Sequence, residues 1–239
     1  MFILNETAEI TNEEEPIMSQ SEKPQKPQIY PLPNGPYYYF TKFETKPVDG
    51  ITNSKNETLF NTPGFALCRC GGSENKPFCD GTHGKIHFNE RKETDGHLDK
   101  RESYVGDKIT IHKNRGVCAH LGYCSSGLPA VFSPGEGKGI DPDAASVEEI
   151  IEVVNKCPSG SLSYSIDGVE YRDQDREPMI TVSIDGPLYL VGGIEVVGHE
   201  PPGDDVSTEH CTLCRCGSSK NKPFCDGTHS DIGFKDEKN

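Results

Sequence analysis

Apolar positions in this chain come in short runs punctuated by glycine, proline and asparagine, with little sustained helical period. Asn34-Gly35-Pro36 opens the run Tyr37 to Phe40, and Asp185-Gly186-Pro187 opens Leu188 to Val191. Each is a turn signal followed by β-prone residues. Val105 to His112 predicts a strand, and Leu162 to Ile166 a shorter one. One segment reads as a helix: Ser146-Val147-Glu148-Glu149 forms a capping box, and Val147, Ile150, Ile151 and Val154 fall on one face. Pro158 stops that helix at Lys156-Cys157. The pattern predicts an α+β fold dominated by short strands.

An internal repeat organises these elements. Residues 68–83 read CRCGGSENKPFCDGTH and residues 214–229 read CRCGSSKNKPFCDGTH, differing only at Gly72/Ser218 and Glu74/Lys220. Leu67 matches Leu213, and Ile86-His87-Phe88 matches Ile232-Gly233-Phe234. The first copy has five more residues upstream of its motif, which predicts a loop insertion between Asp49 and Thr62. Two copies of one β-rich module, about 29–92 and 177–236, therefore flank a compact α+β unit at about 100–176. Residues 1–28, with Glu13 to Glu15 and scattered prolines, are too polar to order themselves and are expected to form a disordered tail.

With 239 residues the chain has room for two ordinary domains, or three small ones stabilised by metal. Only 33% of residues are apolar, there is no Trp, and 25 glycines and 18 prolines favour turns, so the cores are expected to be thin and to need a staple. Ten cysteines offer one. The start MFILNETAEI has no basic segment of a secretory signal, and no apolar run is long enough to cross a membrane. A soluble protein of a reducing compartment, read as cytoplasmic, is expected, and there clustered cysteines bind metal in preference to forming disulfides. The net charge of -14 argues against a nucleic-acid partner. It suits a basic docking face on a redox partner, or simply solubility. No Ser-His-Asp set, P-loop or dinucleotide fingerprint is present, so an enzyme acting alone is not expected.

Both repeats carry C-x-C-x8-C-x3-H: Cys68, Cys70, Cys79 and His83, then Cys214, Cys216, Cys225 and His229. Three cysteines and one histidine are also a valid zinc set. Zinc knuckles space their first pair more widely, however, whereas C-x-C fits two thiolates on one iron of a cluster. Cys79 with His83, and Cys225 with His229, would then serve the second iron. Asp80-Gly81 and Asp226-Gly227 read as the cluster-loop turns that bring each histidine back, with glycine accepting an unusual backbone angle. Pro77 and Pro223 read as loop walls, and Arg69 and Arg215 either as hydrogen-bond donors near the sulfurs or as solvated charge.

These residues resemble the CDGSH iron-sulfur domain of the NEET family, whose pattern C-x-C-x2-S/T-x3-P-x-C-D-G-S/T/A-H is matched throughout both copies. Ser73, Pro77 and Thr82 in the first copy, and Ser219, Pro223 and Thr228 in the second, fill the remaining positions. The resemblance implies one 2Fe-2S cluster per copy. It also implies twofold pairing of modules, expected here as an intramolecular pseudo-dimer, with a conventional homodimer as the alternative.

Between the repeats, Cys118-x5-Cys124 and a remote Cys157-Pro158 follow the bacterial ferredoxin pattern, with Leu121 in place of its middle cysteine. Three thiolates suit a 3Fe-4S cluster, or a 4Fe-4S cluster with a fourth ligand such as His120. Tyr104 to Tyr164 resembles the divergent single-cluster ferredoxin domain and, more loosely, the 3Fe-4S ferredoxins that serve cytochrome P450 enzymes; its linker SPGEGKG departs from their usual acidic and aromatic residues. Cys211 is left over as a free thiol. Three functions follow: a one-electron carrier, a store or donor of clusters to apo proteins, and a zinc-stapled interaction module. The corresponding partners are a redox protein or an apo iron-sulfur acceptor, with no nucleic acid and no membrane.

Overall fold

The computed structural model describes residues 26–40, 50–60, 64–94, 99–135, 139–203 and 205–236. Most of the expected tail, residues 1–25, lies outside them, and Gln28 already belongs to the first strand. The first module contributes β1 (Gln28–Pro31), β2 (Tyr37–Phe40), β3 (Ile51–Asn53), β4 (Thr58–Phe60), β5 (Gly64–Leu67) and the single-turn helix α1 (Thr82–Lys85). The central unit contributes β6 (Arg101–Val105), β7 (Thr110–Asn114), α2 (Tyr123–Gly127), α3 (Pro129–Phe132), α4 (Val147–Asn155), β8 (Leu162–Ile166) and β9 (Val169–Tyr171). The second module contributes β10 (Met179–Val182), β11 (Leu188–Val191), β12 (Glu195–Val196), β13 (Cys211–Leu213) and α5 (Thr228–Asp231). The fold is α+β.

The two modules exchange strands. One sheet runs β12-β1-β2-β5, so a strand of the second module pairs in parallel with β1 of the first. The other runs β13-β11-β10-β3-β4, with β3 of the first module parallel to β10 of the second. Under the repeat, β1, β2, β3 and β5 correspond to β10, β11, β12 and β13, and β4 has no counterpart among the described strands. The surplus of the first copy is not the insertion expected between Asp49 and Thr62: ten residues separate β2 from β3 against three between β11 and β12, whereas the β3–β5 connection that holds β4 has ten residues against fourteen between β12 and β13.

Alternation explains which faces are buried: Tyr37 and Tyr39 are 0% and 1% exposed while Tyr38 between them is 39% exposed. Ile29, Tyr37, Ile51 and Leu67 from one copy share a core with Ile180, Val182, Leu188, Leu190 and Leu213 from the other. Neither copy can bury its apolar face without the other. Ile51 is fully buried in the opposite sheet, where truncating such a residue to alanine typically costs about 2–5 kcal/mol.

At the pseudo-twofold axis Cys70 and Cys216 form an antiparallel bridge. Gly71 and Gly217 follow with φ of 78° and 79°, and a Cβ on either would run into the carbonyl of the other copy's bridging cysteine. Glycine is required there for both conformation and space.

The central sheet has the order β6-β7-β8-β9, all antiparallel. One expectation needs correction here. Val105 to His112 is not one strand: Val105 ends β6, Gly106 to Ile109 turn the chain, and β7 begins at Thr110. The strand β9, which the run Leu162 to Ile166 alone did not predict, follows Asp167-Gly168, whose φ values of 51° and 79° suit a tight hairpin. The α4 capping box forms as expected, with Ser146 and Glu149 bonded reciprocally. Ile150 and Val154 of α4 are buried against Ile111, Leu162 and Tyr164, and Val147 and Ile151 pack at the edge of this cluster.

Glu170 joins the central sheet to the second module. It pairs with Arg101 and Arg172 at 2.8 and 2.9 Å, and those arginines also reach Asp205 at 3.2 and 3.4 Å. Burial opposes its ionisation, yet hydrogen bonds from Ser163, Arg101 and Arg172 prevail and hold its pKa at about 2, below the usual 4.5.

Two predictions follow from this packing. Gly71→Ala and Gly217→Ala should each lower urea-denaturation stability by more than about 1 kcal/mol, beyond the effect of Gly193→Ala, which has φ of 71° but open space around it. Equal losses at all three positions would mean that the close approach adds nothing. A depressed carboxylate pKa stabilises the fold above the unfolded-state value and loses that contribution as pH falls through the folded-state value. The stability gap between wild type and Glu170→Gln should therefore be constant above pH 4.5 and shrink as pH falls toward about 2.

Candidate metal centres

The last residue of each β5-type strand packs into the core, and the next residue is a cysteine. Leu67 and Leu213 are fully buried, so Cys68 and Cys214 are held by strands that cannot shift without opening the core. The amide of Cys68 donates to the Pro77 carbonyl at 2.7 Å and that of Cys79 to the Ala66 carbonyl at 2.8 Å. The second copy repeats this with Cys214 to Pro223 at 2.8 Å and Cys225 to Thr212 at 3.0 Å. Lys76-Pro77 and Lys222-Pro223 are cis peptides in these loops.

Ser73 and Ser219, both 1% exposed, brace the loops by donating to the carbonyls of Phe78 and Phe224 at 2.6 and 2.7 Å. Asp80 accepts the amides of Glu74 and Thr82 at 2.9 and 3.0 Å, and Asp226 accepts those of Lys220 and Thr228 at 2.8 and 3.0 Å. Those bonds, led by the contact with Thr228 against the opposing effect of burial, lower the Asp226 pKa. Gly81 and Gly227, with φ of 85° and 89°, then turn the chain into α1 and α5, which carry the histidines. The aspartates act as loop staples and need not touch a metal.

In each copy the four ligand candidates form two close pairs. Cys68 and Cys70 sulfurs are 3.9 Å apart, and Cys79 Sγ lies 3.3 Å from His83 Nδ1. Cys214 and Cys216 are 3.6 Å apart, and Cys225 Sγ lies 3.4 Å from His229 Nδ1. Two thiolates bound at about 2.3 Å to one tetrahedral ion lie about 3.8 Å apart, and a thiolate with an imidazole somewhat less. Each pair therefore fits one metal. Among the described residues no three of His, Cys, Asp and Glu converge on a single ion position. Two pairs per copy suit a binuclear cluster better than one zinc ion.

Electrostatics separate the copies. Each C-x-C pair shares a thiol-thiol hydrogen bond, which lowers one member, Cys68 to about 6 and Cys216 likewise downward, and raises its partner, Cys70 or Cys214. Burial raises the Cys79 thiol and, more strongly, that of Cys225. Burial also lowers the pKa of His229 and keeps the imidazole neutral, the form a metal binds.

Arg69 and Arg215 fulfil neither role expected of them. Both are 2% exposed and lie beneath the loops as structural cations. Arg215 pairs with Asp236 and donates to the carbonyls of Gly186 and Ser183 at 2.8 and 2.7 Å, and Arg69 pairs with Glu90 at 2.8 Å. Phe234 and Phe88 cover them at 5.5 and 5.7 Å. Leaving such a guanidinium unpaired costs about 3–5 kcal/mol.

In the central unit Cys118, Cys124 and Cys157 line one cavity of about 160 Å³, together with Lys113, His120 and Ser159. Burial raises the thiols of Cys118 and Cys124, the Cys157 sulfur adds to this, and the Lys113 cation opposes it. Three sulfurs around a pocket beside a fixed positive charge fit an anionic cluster. Leu121 lines the same wall. Cys211 lies elsewhere, 8% exposed at the edge of the strand-exchanged core, where burial pushes its thiol up to about 12.

Two features escaped the sequence reading. Tyr37 of the first module places its hydroxyl 2.8 and 2.9 Å from the carbonyls of Cys214 and Pro223, in the second module's metal loop. His120 of the central unit packs on Gly227, leaving no space for a Cβ there. Neither contact joins residues near in sequence, so no local signal marks it.

The family described as "Iron-binding zinc finger CDGSH type" matches residues 34–84 and 185–230, and that described as "Divergent 4Fe-4S mono-cluster" matches residues 104–167. The protein called "Uncharacterized protein YjdI" of Escherichia coli strain K12 is 36% identical over 61 residues, covering 26% of this chain and 80% of that protein. Its counterpart in Escherichia coli O157:H7 gives the same figures. No solved structure matches. The chain belongs to the CDGSH-type iron-sulfur proteins, with two CDGSH domains flanking a divergent single-cluster ferredoxin domain. Among the described residues no helix is long and apolar enough to cross a membrane.

Proposed function

We propose that this chain holds one 2Fe-2S cluster in each CDGSH copy and one 4Fe-4S or 3Fe-4S cluster in the central cavity, and that it is a one-electron carrier and not itself an enzyme. The observation that carries this reading is the adjacency of the central cavity to the second CDGSH site. Cys118 and Cys225 are close enough to influence each other electrostatically, and His120 of the cavity wall covers Gly227 of the CDGSH loop. Redox centres placed side by side in one chain suit internal exchange of single electrons.

Bound clusters supply one-electron chemistry, and the chain's ligands set how readily they accept the electron. Cys68, Cys70 and Cys79 with His83 would hold one, and Cys214, Cys216 and Cys225 with His229 the other. Each neutral imidazole in place of a thiolate removes a negative charge, which favours the reduced state. Lys113 does the same beside the central cysteines. A net charge of -14 favours a redox partner with a basic docking face, in a reducing compartment that keeps the thiols free. The half-buried setting of Cys79 and His83 favours a second reading, in which the chain hands clusters to apo acceptors. The paired geometry of the ligands weighs against the zinc-stapled module.

Anaerobic purification, with iron, sulfide and zinc analysis and EPR of oxidised and reduced protein, should give about seven or eight irons per chain. About four irons would leave the central cavity without a cluster, and zinc without iron would overturn the reading. In dye-mediated redox titration, His83→Cys and His229→Cys should each lower the potential of the affected cluster by roughly 100 mV or more. Unchanged potentials would remove histidine from the ligand set.

A further inference from the structure

The two CDGSH motifs differ at only two positions, yet their surroundings are not alike. Among the described residues a Cβ at Gly81 would meet nothing within 4 Å, whereas at Gly227 it would stand 2.7 Å from Cβ of His120. Asn75 is exposed; its counterpart Asn221 is 4% exposed and donates its side-chain amide to the Gly116 carbonyl of the central unit. Cys70, Cys79 and His83 are half-buried, while Cys216, Cys225 and His229 are 7%, 2% and 6% exposed. Tyr37 also clamps the second loop through its two carbonyl contacts, and the equivalent residue facing the first loop is Leu188, which has no hydroxyl.

We propose that the two sites divide the work: the first is an exchange site that gives up or takes on its 2Fe-2S unit, and the second is a retained site locked by the central domain through His120 and Asn221. This rests on the reading that both copies hold such clusters. Transfer from the first site breaks the iron-thiolate bonds to Cys68, Cys70 and Cys79 and the iron-imidazole bond to His83, and forms bonds to the thiolates of an apo acceptor. Protons released by the acceptor thiols return to this chain's three cysteines and to the imidazole or solvent, and no electron changes hands. An acceptor thiol can approach Cys79 and His83 from solvent. At Cys225 and His229 it meets His120 and the central unit.

The test treats reduced holo-protein at fixed pH with the iron chelator bathophenanthroline, and separately with apo-ferredoxin as acceptor. Visible absorbance follows the CDGSH clusters, and EPR of frozen samples tracks the central cluster. Two CDGSH phases are expected, differing by at least about tenfold in rate, as loss of outer-shell support does at other metal sites. His83→Cys should abolish the fast phase and His229→Cys should leave it. His120→Ala should accelerate the slow phase toward the fast one, while His120→Gln, which keeps a side chain over Gly227, should not. A single phase, or a fast phase that vanishes in His229→Cys, overturns the division of labour even if the clusters are present. Colourless, zinc-loaded protein overturns it together with the cluster reading on which it rests. The assignment through the two ligand variants decides the matter even if His120→Ala fails to fold.

Discussion

The two copies meet backbone to backbone where Cys70 bridges to Cys216, and this contact exists only because each cysteine is followed by a glycine in the left-handed region. Bringing the C-x-C segments together back to back sets the spacing of β5 and β13, and with it the partners available to every other strand of the two modules. β3 and β12 cross to the opposite sheet, and their buried residues complete a core that neither copy could close alone. The first candidate ligand of each copy, Cys68 or Cys214, is the residue that directly follows β5 or β13. Core packing and ligand placement are therefore one constraint: Leu67 and Leu213 cannot be buried unless Cys68 and Cys214 stand where they do.

A repeat in sequence would give two equal sites if nothing intervened. The central unit intervenes, and it has to lie against one copy or the other. It lies against the second, tied by Asn114 to Pro202, Arg172 to Val206 and Asn221 to Gly116, while the first copy keeps its solvent face. Burial is what this asymmetry changes, and burial is what lowers the His229 pKa and raises Cys225. Identical sets of candidate ligands thus acquire different burial and electrostatics from their surroundings. The first module adds to the imbalance, because Tyr37 reaches the opposite metal loop and Leu188 cannot.

Much of this was legible in the sequence, for physical reasons specific to each element. The repeat marked the candidate ligands, which the structure brings into close pairs, and α4 and β8 carried complete local signals: a capping box with a buried face, and a short β-prone run. The strand exchange was not legible, since β3 and β12 are three and two residues long and their partners lie over a hundred residues away. The stretch Val105 to His112 looked continuous because its turn at Gly106 keeps β-prone residues on both sides. Arg69 and Arg215 were misread because charge normally implies solvent. Here a poorly apolar chain buries each guanidinium beneath an aromatic ring and neutralises it with a carboxylate. His120 could be named as a candidate ligand from its place between the central cysteines, but its contact with Gly227 depends on how two domains dock.

Docking and metal retention are thermodynamically linked. Any ligand that binds only the folded arrangement stabilises it, and in a small metal site the binding energy is largely folding energy. A group held between Cys225 and His229 would stabilise the loop whose Gly227 and Asn221 meet His120 and Gly116. By reciprocity, seating the central unit must favour retention at that site by the same free energy by which retention favours seating. Among the described residues the first site has no such neighbour at Gly81. Loosening of the central domain would therefore reach the second loop through the contacts of His120 with Gly227 and of Gly116 with Asn221.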